Sequence, residues 1–325
     1  MDQTSLAGRG RRHSLKSYIE KKALPKMGLA GRQFTLEPTR LGNRNVIFFL
    51  LIQGCRDIVL KGFKKETRVR NHLIANRFLE RCSMDVPRTL FSDLSRKTYR
   101  AFGYYFICEE KVTGRNLAET GDLAGCIPAV AAFYARLHAI HSSRWGKLRS
   151  GHKYGFHSYI LSQITTRLNA LASSRSRAGL LDLVTYLKWF ERKQETARVI
   201  GNFSLCHGDV NKKNIFITER GRVCIIDNEA IKYMPFPAEF YRLQFTLCED
   251  DAYLQRLFDA SYLDCCSIRK QEQLGICGDF YRAYVLLECA CYYSRKAGEK
   301  KIDNGLRAWF ESNCAKSVNA LNELL

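Results

Sequence analysis

The stretch 205–229, LCHGDVNKKNIFITERGRVCIIDNE, constrains this chain more tightly than any other. Two short apolar runs, Ile215-Phe216-Ile217 and Val223-Cys224-Ile225-Ile226, flank Glu219-Arg220-Gly221-Arg222. Apolar runs around a glycine-containing turn predict a β-hairpin. Three oxygen-bearing side chains fall at its edges: Asp209, Asn214 five residues later, and Asp227 just past the second run. A hairpin brings Asn214 and Asp227 to one end, facing Asp209. That set suits phosphoryl transfer. One carboxylate takes or orients the proton of an attacking hydroxyl, while an amide oxygen and a second carboxylate hold Mg²⁺ on nucleotide phosphates.

With His207 and Gly208 included, the pattern H-G-D-x-x-x-x-N, followed by I-D beyond a hairpin, resembles the catalytic and metal-binding segment of the protein-kinase-like superfamily. It looks most like the aminoglycoside phosphotransferase and choline kinase branch. Protein kinases usually have Arg where Gly208 stands and Phe-Gly where Asn228-Glu229 stand. The resemblance implies an α+β, two-lobed protein-kinase-like fold, with a small antiparallel-sheet N-lobe over 33–110 and a large, mainly helical C-lobe over 111–325. It implies ATP and Mg²⁺ as cofactors, Asp209 as the catalytic carboxylate, and Asn214 and Asp227 as metal ligands. His207 is expected to support the loop through hydrogen bonds.

The residues upstream read as the small lobe. Phe34-Thr35-Leu36, the run 46–52 and Ile58-Val59-Leu60-Lys61 are strand-like and separated by turns. By resemblance, Lys61 ends the strand whose lysine reaches the α/β phosphates. No G-x-G-x-x-G is present, so Gly42 to Asn45 must cover the phosphates. Residues 66–82 read as a helix with Val69, Leu73, Ile74 and Phe78 on its packed face. The family's lysine-pairing glutamate falls near Asn71 or His72, so either Glu66, more than a turn earlier, pairs with Lys61 through a shift of the helix, or the pair is absent and the phosphates are held more loosely. Tyr104 to Cys108 predicts a further strand, and the resemblance implies that Glu109 and Glu110 open the hinge whose backbone would bond adenine.

The rest of the chain reads as helical, with segments near 127–141, 156–171, 180–199, 250–258, 271–296 and 303–324. His138 and His141 read as packed histidines at a helix end rather than a metal pair. Glu239 takes the position of the family's structural acidic residue. Arg144, Lys147, Arg149 and Lys153 lie in a basic loop open to anions or simply to solvent. Residues 1–32 form a basic extension, eight Lys and Arg against two acidic residues, read as a flexible arm that touches phosphates or acidic lipid, or as a solvated tail or partial helix with no role.

Composition narrows the partners. With 52 Lys+Arg against 32 Asp+Glu the net charge is +20, which draws polyanions and repels polycations. The 13 cysteines are scattered, without C-x-x-C, as in a reduced cytoplasmic protein. No apolar run is long enough to span a bilayer. The expected activity is therefore ATP-dependent phosphorylation of a hydroxyl on a small molecule or glycan, leaning to an anionic sugar or a lipopolysaccharide-core-type acceptor. Contact with an anionic membrane surface at the inner face is compatible with the basic arm; no base-reading motif points to nucleic acid. Two alternatives stay open: an aminoglycoside O-phosphotransferase, and a non-catalytic pseudokinase scaffold.

Overall fold

The computed structural model describes residues 14–39, 45–173, 183–299 and 302–324. Gly42 and the first residues of the basic extension lie outside them. The chain divides into two compact units, Met1–Ala129 with Asn211–Ile231, and Val130–Val210 with Lys232–Leu325.

The first unit is built on a five-stranded antiparallel sheet. Its strands are β1 (Phe34–Pro38), β2 (Val46–Ile52), β3 (Ile58–Phe63), β4 (Thr89–Asp93) and β5 (Tyr105–Glu110), in spatial order β1-β2-β3-β5-β4. Strand side chains alternate between faces, and here the alternation sorts by residue number. Phe48, Leu50, Ile52, Ile58, Leu60, Phe106 and Cys108 form one buried layer, whereas Phe63, Tyr105 and Ile107 pack on the other face with Val69. Lys61 and Glu109 belong to that second face, which the helix Glu66–Arg81 covers.

The first layer is closed by a part of the chain that the sequence suggested was a flexible arm. Residues Leu15–Tyr18, Ile19–Ala23 and Leu24–Lys26 form consecutive helical turns, the middle one π-helical. Leu15, Ile19, Ala23 and Leu24 are buried in the same layer as Leu50 and Leu60. Tyr18 meets Phe102 edge-on at 5.2 Å between ring centres, and its hydroxyl donates to Asp93 at 2.8 Å. Lys22 Nζ also donates to Asp93, at 2.5 Å. Burial works to raise the Asp93 pKa, but the bonds from Lys22 and Thr98 outweigh it and hold the carboxyl well below its usual range. This basic segment is thus part of the small unit's core, because Leu and Ile at helical spacing offset the charges between them.

The hairpin of the 205–229 stretch is present as Ile215–Thr218 paired antiparallel with Val223–Ile225. The Gly221 N–H donates to the Thr218 carbonyl at 2.8 Å, and Gly221 carries φ +69°. A third strand, β6 (Gly114–Asn116), pairs with Ile215–Thr218 on the other side. Gly114 has φ +137°, and a Cβ there would sit 2.1 Å from the Ile217 carbonyl oxygen. Both the backbone angle and the close approach require glycine. Gly114→Ala is expected to destabilise the unit by about 1–3 kcal/mol, the range for a residue forced into a rare backbone conformation. A urea midpoint shift at constant slope would measure it.

The second unit is mainly helical: Phe156–Ala172, Leu183–Ala197, Phe236–Cys248, Ala252–Asp264, Ile268–Ala297 and Asn304–Asn322. It also holds a small four-stranded sheet, in which Phe203–Cys206 lies between His141–Ser142 and Lys232–Met234, with Gly146–Lys147 at the edge. No helix among the described residues is long and apolar enough to cross a membrane.

Candidate active site

In the first unit, everything turns on Lys61. Its side chain is 5% exposed, and Nζ lies 3.1 Å from Glu109 Oε2 and 2.9 Å from Asp227 Oδ1. The sheet register explains the first contact. Lys61 pairs with Ile107 and Val59 with Glu109, so Lys61 and Glu109 are diagonal neighbours on one face of adjacent strands. Burial alone would lower the Lys61 pKa, but the two carboxylates outweigh it and keep the ammonium above its ordinary value. Burial likewise works to raise Glu109, yet His72 and Lys61 hold it down at about 2.

This arrangement corrects the expected pairing. Glu66 turns along its own helix to Arg70, with Arg70 Nε donating at 2.7 Å. Near where the family's lysine-pairing glutamate is expected, at Asn71 or His72, the side chain turned inward is His72, whose Nε2 lies 2.5 Å from Glu109 Oε1. Asn76, one turn on, donates to the same oxygen at 2.8 Å. The carboxylate has moved from the helix to β5, and the helix supplies its holders instead. The helix is accordingly rotated from the face expected from its apolar residues: Val69, His72, Ala75, Asn76 and Leu79 are buried. Glu109 and Glu110 remain inside β5, their backbones in the ladder, and the Glu110 side chain accepts from Arg88.

The hairpin places the other oxygen donors. The Ile226 N–H donates to the Asn214 carbonyl at 3.0 Å, so Asn214 and Asp227 lie at the same end of the hairpin. Asp227 adopts a left-handed conformation, φ +59°, which aspartate tolerates better than most residues. The Lys61 charge, joined by its hydrogen bond, outweighs burial and holds the Asp227 carboxyl below its ordinary value. The two residues after it, where protein kinases have Phe-Gly, fasten this end to the 66–81 helix. Asn228 donates to Asn76 at 2.8 Å, and Arg68 donates to Glu229. His72, Asn76 and Asn228 are thus site residues that apolar periodicity hid; polar residues spaced four apart in a helix beside a buried lysine strand were the available signal. Asn45 is half-buried at the start of β2.

In the second unit, Asp209 is exposed on a loop anchored from behind. Glu239 is 2% exposed and accepts from the His207 N–H at 2.8 Å and the Gly208 N–H at 2.7 Å. Gly208 has φ +78°, a turn that favours glycine. Glu239 also meets His138 Nε2 at 3.0 Å, while His138 Nδ1 lies 2.6 Å from the Tyr262 hydroxyl. Burial favours neutral His138. Burial works to raise the Glu239 pKa, but the His138 bond and the loop N–H groups hold it below its ordinary value. His138 lies near Cys206 and Glu239, but both its ring nitrogens are already engaged. Arg144, Lys147, Arg149 and Lys153 are exposed.

A family model described as the phosphotransferase enzyme family matches residues 35–265, which include Lys61, Asp209, Asn214 and Asp227. The chain belongs to that family. A search of the curated proteins gives no match. Among solved structures, this phosphotransferase is similar to a putative aminoglycoside phosphotransferase from Ralstonia eutropha, with TM-score 0.69 and 15% identity over 95% of this chain and 97% of that one. It is also similar to an ethanolamine kinase from Plasmodium vivax, with TM-score 0.63 and 13% identity over 95% and 89%. A choline kinase from Cryptosporidium parvum gives TM-score 0.59 and 14% identity over 90% of each chain. The fold is therefore protein-kinase-like, a small antiparallel sheet with a large helical part.

Proposed function

We propose that this phosphotransferase moves the γ-phosphoryl group of ATP to a hydroxyl of an anionic acceptor, such as a phosphorylated sugar or glycan. The observation that carries the reading is the buried Lys61, fixed between Glu109 and Asp227 at the end of the hairpin that also carries Asn214. A buried lysine kept charged by two carboxylates is poised to meet phosphate oxygens. The donor set fits Mg²⁺, a hard cation that takes oxygen ligands. Asp227 is kept ionised and its side chain stays 32% exposed, and Asn214 supplies an amide oxygen. When bound, Mg²⁺ would neutralise charge on the phosphates. Lys61 would neutralise the non-reacting phosphates, Asp209 would orient the acceptor hydroxyl and take its proton, and Glu239 would hold the loop that carries Asp209. Phosphoryl transfer of this kind draws most of its rate from positioning and charge neutralisation.

ATP is supported by an aminoglycoside phosphotransferase of similar fold that was solved with AMP-PNP and hygromycin B. The same structure favours a second reading, a cationic antibiotic acceptor. The net charge of +20 favours the first. The test is ADP formation with Mg²⁺ over a panel of sugar phosphates and aminoglycosides at low and moderate salt. Sugar-phosphate turnover is expected, with KM rising as salt screens the attraction. Turnover of an aminoglycoside with a salt-insensitive KM would sink the anionic reading.

A further inference from the structure

The second unit contains a cleft of about 870 Å³ among four of its helices. Four guanidinium groups line it: Arg167 from Phe156–Ala172, Arg242 from Phe236–Cys248, Arg295 from Ile268–Ala297 and Arg307 from Asn304–Asn322. Two carboxylates, Glu288 and Glu311, line it as well, so the lining carries a net charge of +2.

A structural ion network accounts for half of this set. Glu288 accepts from Arg167 at 2.5 Å through one oxygen and from Arg242 through the other. That single carboxylate fixes two forks and neutralises one of them. It leaves Arg295 and Arg307 unexplained, because neither makes an ion pair among the described residues. Arg295 lies over the Tyr292 ring, with Cζ 5.8 Å from its centre. Arg307 is half-buried, and its Nε is fully buried without a hydrogen-bond partner among the described residues. Burying a charged donor without a partner is costly, and an oxyanion against the half-buried Arg307 guanidinium would offset that cost.

The cleft is joined to the loop that carries Asp209 by one helix. Glu239, which accepts from the His207 and Gly208 N–H groups, and Arg242 are one turn apart on Phe236–Cys248. We infer that the cleft binds a phosphate monoester group of the acceptor, so that its target hydroxyl is offered to Asp209. A monoester carries between about −1.5 and −2 at neutral pH, which matches the net charge of the lining better than a single carboxylate does. Guanidinium forks grip phosphate oxygens in pairs. That the bound phosphate belongs to an acceptor rests on the phosphotransfer reading above; phosphate binding in the cleft does not.

The test is calorimetric titration of inorganic pyrophosphate into the full chain, without nucleotide, at low and moderate salt. Wild type is compared with Arg295→Glu, Arg307→Glu and Lys61→Ala. Each arginine reversal is expected to weaken binding about tenfold or more, as loss of a charge-assisted contact to phosphate does, and Lys61→Ala is expected to retain the cleft event. Binding lost only in Lys61→Ala, or no binding in wild type, would overturn the inference. Should a reversal fail to fold, hydrogen exchange on wild type decides. Pyrophosphate must then protect the C-terminal turns of Ile268–Ala297 and the first turn of Asn304–Asn322, and no protection there overturns it. Competition by glucose 6-phosphate assigns a soluble ester, and competition by phosphatidate vesicles a lipid headgroup; failure of both also overturns it. Because pyrophosphate binding is read without turnover, its failure is separate from any failure to hydrolyse ATP.

Discussion

Glu109→Ala is expected to lower unfolding free energy by about 3 kcal/mol, near the low end for losing one member of a buried ion pair. The low end applies because Lys61 keeps Asp227 at 2.9 Å. The cost comes from what is left behind: an ammonium buried in the sheet, and His72 and Asn76 deprived of the oxygen they share. Glu66→Ala serves as the contrast. Among the described residues its carboxylate meets only Arg70, at the surface, and a change within about 0.5 kcal/mol is expected there. Urea unfolding of the two variants decides which glutamate is the lysine's partner; equal midpoints would discard the Glu109 assignment. The pH dependence has a defined sign. Glu109 is held at about 2 in the fold against an ordinary 4.5, so its contribution is complete above pH 4.5 and fades as pH falls through about 2. Glu109→Gln should flatten stability across that acid window. His72→Ala should be non-additive with Glu109→Ala, since both act on one network.

That network also shows where the sequence was legible and where it was not. The hairpin could be read because its determinants are local: two apolar runs, a glycine turn, and polar residues at fixed spacing, all within 25 residues. The three strands around Lys61 were legible for the same reason, whereas Glu239 was legible only through the resemblance, as the residue at the family's structural acidic position. The partner of Lys61 is a different kind of fact. It depends on the register between β3 and β5, which are adjacent in the sheet but separated along the chain by two helices and the strand β4. Nothing local specifies that register. The 66–81 helix misled in a related way. Its apolar residues mark one face, but a buried carboxylate needs donors more than it needs methyl groups, so His72 and Asn76 are drawn inward and the helix is rotated to suit. The basic amino-terminal stretch was obscured by composition. Its Lys residues read as a solvated arm, while Leu15, Ile19, Ala23 and Leu24 form the buried stripe between them. The short strands of the second unit are two to four residues long, below what periodicity can resolve.

Asp209→Ala is expected to reduce phosphotransfer turnover by about 10²–10⁴-fold, the usual range for removing a positioned acid–base group, while nucleotide affinity changes little. The reasoning lies in how the loop is built. Asp209 is exposed, and the backbone beside it is fixed by Glu239 through the His207 and Gly208 N–H groups. Removing the Asp209 side chain leaves that anchor intact, so folding should be preserved and only the acceptor step should suffer. Asp227→Ala should behave differently. It takes a carboxylate from Lys61 and an oxygen donor from the hairpin end together, so Mg²⁺-dependent nucleotide affinity should fall along with turnover. Glu239→Gln gives a third pattern. The amide still offers one oxygen but cannot accept from both N–H groups and His138 as the carboxylate does, so stability and turnover should decline together. Nucleotide binding, single-turnover phosphotransfer and unfolding midpoints measured on the three variants separate these roles. Wild-type turnover in Asp209→Ala would remove the carboxylate from the reaction and return the loop to a purely structural part of the fold.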